Sequence, residues 1–283
     1  MQGVYGAFVA IFLVGLREGL EVTLLVSIAA AFLKRSGVSV RPMFAAIGVA
    51  VAISIGIGVG LNLLSTSLPA AQQEMMATVV GVIAVAFMTS MIIWMTRNAG
   101  RLQGEVEDEA RQAIIQGGSA GLVLMAFLAV LKEGFELSVF MLAAADTAHD
   151  NRWVAVLGGA VGIAVSIAMG VGLYFGGMKL DLQRFFRVTG VFLVLIAAGL
   201  LLNTLRSAYE AGWLTIAQQQ LFDLSSWIPE SSIQGAVVTG LFGIPADPRL
   251  IEVLGWLLYV VPVLAVLFLP ARRRTTAPAM AGG

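Results

Sequence analysis

Seven stretches of this chain, residues 4–33, 42–64, 75–96, 119–145, 154–177, 188–206 and 251–269, are apolar over the length that a helix needs to cross a hydrocarbon core, roughly 20 residues. Such stretches leave little choice of fold. With 59% hydrophobic and only 12% charged residues, the chain also has too little polar surface to coat a soluble globule. The expectation is an all-α integral membrane protein of seven transmembrane helices, forming a single domain over residues 1–270 with a tail at 271–283. A further apolar run at 233–244 is 12 residues long, too short to span, and reads as interfacial or re-entrant. No basic segment precedes the first apolar run, which is also too long for a cleavable signal, so it is expected to remain as a helix.

Basic residues between the spans set the orientation. Lys34, Arg35, Arg41, Arg97, Arg101, Arg111, Lys179, Arg184, Arg187, Arg272, Arg273 and Arg274 fall on one side, and Arg152, Arg206 and Arg249 on the other. The first side is expected to be the cytoplasm, which puts the N-terminus outside, the C-terminus inside and the protein in the plasma (inner) membrane. The outer side is rich in Asp and Glu, which concentrates cations there. Cysteine is absent, so neither disulfides nor thiolate metal sites are available, and the single histidine, His149, excludes paired-histidine haem ligation within this chain.

Only two of the spans carry charge at their centres. LREGLE at 16–21 lies in the first and LKEGFE at 131–136 in the fourth, 115 residues apart. AISIGIGVGL, from Ala52 in the second span, matches AVSIAMGVGL, from Ala164 in the fifth, at an offset of 112. A weaker match at 109 joins VVGVIAV in the third to VTGVFLV in the sixth. Residues 4–96 and 119–206 therefore read as two copies of a three-helix unit. Each has an odd number of crossings, so the second enters from the opposite side. Inverted repeats of this kind place a substrate site near the midplane. An outer segment at 207–250 and a seventh helix at 251–269 complete the domain.

On a helix, Glu18 and Glu21 share a face, and Arg17 stands one turn from Glu21, where the two are expected to pair. Lys132, Glu133 and Glu136 repeat the pattern. A charge at the centre of a lone membrane helix costs about 2.5–3.5 kcal/mol, so six of them call for a polar interior. Two basic groups neutralise two of the four carboxylates, leaving a formal charge of −2 and a set of oxygen ligands suited to a hard multivalent cation. Gly19 and Gly134 are expected to let the two helices come close enough to share one ion. The alternative is a set of buried ion pairs that only hold helices together. Met88, Met91 and Met95, at helical spacing in the third span, offer thioethers to a soft ion or, more simply, packing.

The two charged motifs resemble the paired Arg-Glu-x-x-Glu motifs of the high-affinity iron permeases of fungi and bacteria, and the resemblance covers almost the whole chain. It implies inward movement of iron across the plasma membrane, with Glu18, Glu21, Glu133 and Glu136 as iron ligands and Arg17 and Lys132 as supporting ion pairs. Iron is then the transported substrate, and no cofactor and no enzymatic activity are expected. A periplasmic or oxidase partner protein is implied, besides the lipid bilayer; no nucleic-acid partner is expected. Two departures stand out: Lys132 replaces the second arginine, and Ser207 stands where a related segment usually carries an acidic residue before Glu210. An outer accessory site is expected, if anywhere, at Asp146, His149, Asp150 and Glu210. The cluster EVEDEARQ from Glu105 reads as a solvated cytoplasmic face or as a receiver for an exiting ion. Runner-up functions are a permease for another hard divalent cation such as manganese, and a non-transporting membrane scaffold or redox-complex subunit.

Overall fold

The structure, a computed structural model, describes residues 3–98, 101–147, 152–174, 181–217, 219–220 and 248–268. Seven helices occupy them: α1 Gly3–Arg35, α2 Arg41–Ser67, α3 Ala70–Asn98, α4 Leu102–Thr147, α5 Arg152–Tyr174, α6 Leu182–Glu210 and α7 Leu250–Phe268. Each falls on one of the expected apolar stretches, although α5 is described only to Tyr174 and α7 only to Phe268. The apolar run at 233–244 and the tail lie outside the described residues.

Five of the helices, α2, α3, α4, α6 and α7, are long and apolar enough to cross a membrane. α1 has the length, 33 residues, but carries three charges at its middle. The apolar run of α5 is shorter, Val156–Gly172. Large apolar side chains such as Val49, Ile55 and Leu63 on α2, and Leu157 and Ile167 on α5, face outward. That is tolerable in lipid and costly in water.

Local chemistry ends the helices where it should. After α1, Gly37 takes φ 69°; its N–H bonds Lys34 O, and the N–H of Val38 bonds Leu33 O, the paired closure of a Schellman motif. Gly212, with φ 77°, closes α6 in the same way. Pro42 stands in the first turn of α2, where its missing N–H costs nothing. Asp181 caps α6 by accepting from the N–H of Arg184.

α4 is not one straight rod. Gly118 has φ 58° and ψ −141°, a backbone conformation open essentially only to glycine. The chain breaks there, and residues 102–117 fold back beside the rest of the helix: a Cβ on Gly121 would strike the carbonyl of Ala113. An apolar cluster of Leu33, Met43, Ala110, Leu122 and Ala126 packs the folded-back segment against α1, α2 and the rest of α4.

The principal helix contacts run between the set α1–α3 and the set α4–α6 and not within either. α1 lies on α5, α2 on α4, α3 on α6, and α1 on α4, with α7 bracing α6. Small residues make the close crossings possible, because packing rather than water expulsion holds helices together in lipid. Gly15 meets the backbone of Gly159, and Gly162 meets the backbone of Phe12 and Leu16. The larger core, around Val14, Met88, Ile92, Phe140, Leu193, Val194 and Val260, lies between α1, α3, α4, α6 and α7.

Candidate functional site: a carboxylate cluster between two helices

The two charged motifs meet where α1 crosses α4. Glu18 and Glu21 of α1 and Glu133 of α4 each bring a carboxylate oxygen into one group, all within 4.8 Å of one another. Glu18 and Glu133 are buried and Glu21 is half-buried. Both oxygens of Glu18 and Oε2 of Glu133 accept no hydrogen bond from any described residue. Unbonded carboxylate oxygens in a buried place are costly unless a cation meets them, and several hard oxygens converging on one point are what a hard cation requires.

Glu136 stands one turn along α4, outside this group, and is tied to it through Lys132. The Lys132 ammonium lies 2.8 Å from Glu133 Oε1 and 3.1 Å from Glu136 Oε1. Here the expected pairing of the second motif is present. In the first motif it is not. Arg17 is 2% exposed, and its guanidinium turns to α3 instead of Glu21: Nε donates to Met95 Sδ and Nη2 to the carbonyl of Met91, each at 3.0 Å. The same spacing of four pairs Lys132 with Glu136, so the neighbouring helix and not the spacing draws Arg17 from Glu21. α3 supplies the buried acceptors. The methionine stripe is thereby accounted for: Met88 and Met95 are buried in apolar packing, and Met95 sulfur also anchors the arginine.

The motif glycines do a different job from the one expected. Gly19 seats Ser166 of α5 and Gly134 seats Ser54 of α2, so that each opens a neighbouring helix's path and not the α1–α4 contact. One turn further on, Gly170 of α5 receives Thr23 of α1, and Gly58 of α2 receives Ser138 of α4. The hydroxyls do not project into the site: Thr23 bonds Gly19 O, and Ser138 bonds Gly134 O.

A cavity of about 710 Å³ reaches the cluster, with Glu21, Lys132 and Glu133 in its wall and Glu109, Gln112 and Gln116 of the folded-back segment lining it as well. It follows α4 from Gly121 to Glu133, about 18 Å of helix. The acidic cluster at 105–112 is thus not merely a solvated face, since one side of it looks into the cavity. No sequence signal short of knowing the break at Gly118 could have placed it there.

Of the outer accessory residues, His149 and Asp150 lie outside the described residues, and only the helical backbone of Asp146 is described. Glu210 is exposed at the end of α6. A buried acid that sequence reasoning left among the outer carboxylates is Glu252, 1% exposed at the start of α7. It accepts from Arg206 Nε at 3.1 Å and from the N–H of Arg249 at 3.0 Å, while the guanidinium of Arg249 stacks 4.1 Å above the ring of Tyr209. This is an anchor joining α6 to α7.

A helical multi-pass membrane protein with a buried, oxygen-lined acidic site is the class that these features define. The profile of the iron permease FTR1 family matches residues 8–276, and the chain belongs to that family. It is 36% identical over 270 residues to the ferrous iron permease EfeU of Escherichia coli O157:H7, covering 94% of this chain and 97% of the relative. To the ferrous iron permease EfeU of Yersinia pestis it is 34% identical over 265 residues, with 92% and 93% covered. No solved structure gives a significant match.

Proposed function

We propose that this chain is an iron permease, a transporter and not an enzyme, and that its ion is held by Glu18, Glu21, Glu133 and Glu136 at the α1–α4 crossing. The observation that carries the reading is the convergence of carboxylates from both helices, with buried oxygens that no described donor satisfies. Four carboxylates and two basic groups sum to a formal −2, which a divalent ion neutralises and a trivalent ion overshoots. The site therefore suits ferrous iron, the ion in the relatives' names. Carboxylate oxygens alone discriminate weakly between hard divalent ions.

The reading includes an inverted repeat of the first and second three-helix units. Its support is the reciprocity of contacts: Gly19 with Ser166 and Gly134 with Ser54 are the same pair shifted by the repeat offsets, as are Gly170 with Thr23 and Gly58 with Ser138. With the basic side of the membrane as the cytoplasm, the cavity is the inner half of the pathway. Glu109, Gln112 and Gln116 then offer an ion leaving the cluster its next oxygens.

Purified protein in vesicles tests this directly. Fe(II) should enter in a protein-dependent manner and Glu18→Gln should stop it, with Mn(II), Mg(II) and Ca(II) as competitors. Mn(II) entering while Fe(II) does not would replace the substrate but keep the site. Vesicles impermeable to every ion would favour a scaffold.

A further inference from the structure

The two motifs are copies, yet their basic residues are used differently. Arg17 is sunk against α3 and held at two atoms. Lys132 is on the cavity wall; its side chain is 62% exposed, and its ammonium sits between one oxygen of Glu133 and one of Glu136. An ion held by all four glutamates needs oxygens of both these carboxylates, and a metal and an ammonium cannot both occupy the two oxygens that Lys132 now holds.

Resting on the ion site proposed above, we infer that Lys132 is an internal stand-in for the transported cation: its ammonium neutralises Glu133 and Glu136 in the ion-free, cavity-open form and must swing into the cavity when metal binds. The residue type suits this. A lysine is a point charge on a flexible four-carbon stem, whereas an arginine fork clamps carboxylates in a fixed geometry. Exposure of the side chain lets the freed ammonium stay hydrated, so that displacement costs little. The exchange also works in reverse. A cation tethered beside the site competes with bound metal and helps to expel it into the cavity, which turns a strong ligand set into one that can release its ion.

The first test needs no substitution. Lys34, Lys132 and Lys179 are the three lysines of the chain, so an amine-reactive acylating reagent followed by mass spectrometry can follow each separately in the purified protein. Saturating Mn(II), a redox-stable probe, should raise the labelling rate of Lys132 severalfold and leave Lys34 unchanged. An unchanged or lowered rate at Lys132 overturns the proposal. The second test compares Mn(II) affinity and Fe(II) uptake in Lys132→Met and Lys132→Arg. Loss of the competing ammonium in Lys132→Met should tighten binding by up to about fivefold, the scale of releasing one partly exposed ion pair, and should lower both KM and kcat. Lys132→Arg, which keeps the charge, should stay near the wild-type affinity. Equal or weaker Mn(II) binding in Lys132→Met, with Glu18→Gln abolishing binding, overturns the stand-in while leaving the four-glutamate site in place. Normal binding in Glu18→Gln removes the site itself and the stand-in with it.

Discussion

Replacing Gly134 by alanine tests how the charged motif is seated. A Cβ there would lie 2.6 Å from Ser54 Cβ, where ordinary contact begins at 3.4 Å, and closer still to Ser54 Oγ. The hydroxyl can rotate away, at the loss of its bond to Ala50 O. The Cβ cannot move without its helix, so α2 and α4 must separate by about 0.8 Å. Overpacking of this size costs about 1–3 kcal/mol. At Gly19 the corresponding distance to Ser166 Cβ is 2.9 Å, and Gly19→Ala should cost less. Rescue makes the argument specific. Ser54→Gly removes both offending atoms, so Gly134→Ala/Ser54→Gly should recover most of the stability, whereas Gly134→Ala/Ser54→Ala should not. Gly56→Ala, with nothing within 4 Å, is the neutral control. Thermal unfolding in detergent and iron uptake per folded molecule read both effects. If Gly134→Ala melts like the wild type, or if Ser54→Ala rescues as well as Ser54→Gly, the seating described here is wrong.

Four further outcomes are expected. Glu18→Gln and Glu133→Gln should each remove most uptake, and the pair should add little, since the groups act on one ion; multiplicative losses would indicate separate stations. Arg17→Lys should destabilise the fold by about 1.5–3 kcal/mol, because one ammonium cannot reach both the Met91 carbonyl and Met95 sulfur and hydrogen bonds from a charged group are worth that much; unchanged unfolding would refute the anchor. Gly118→Ala forces a side chain into φ 58°, ψ −141°, at about 1–3 kcal/mol, and should cut uptake by disturbing the cavity wall, an effect that Gly104→Ala, in open space, should lack. A single cysteine at Gln112 in this cysteine-free chain should react with an impermeant maleimide from the cytoplasmic side alone; labelling from outside would reverse the orientation and the direction assigned to the cavity.

What the sequence determined rests on short-range rules. The length of each apolar run fixes a helix, glycine at 37 and 212 ends two of them, and a spacing of three places Glu18 beside Glu21 and Glu133 beside Glu136 whatever else the chain does. The family followed from the same motifs, since two charged pentapeptides in matching apolar spans are rare. Tertiary structure decided which partner each side chain meets. Arg17 and Lys132 look alike in sequence, but Met91 and Met95 draw one out of its motif while the other bridges its own glutamates. Those partners lie more than 70 residues from Arg17, a separation over which no local pattern carries information. Gly19 and Gly134 could be read as close-approach residues, but not as seats for Ser166 and Ser54, because a missing side chain says only that something comes near. The cavity depends on one glycine, Gly118, whose positive φ folds residues 102–117 back on α4. In sequence, Gly117 and Gly118 mark only the edge of an apolar span; in three dimensions they bring Glu109, Gln112 and Gln116 to the same cavity as the cluster.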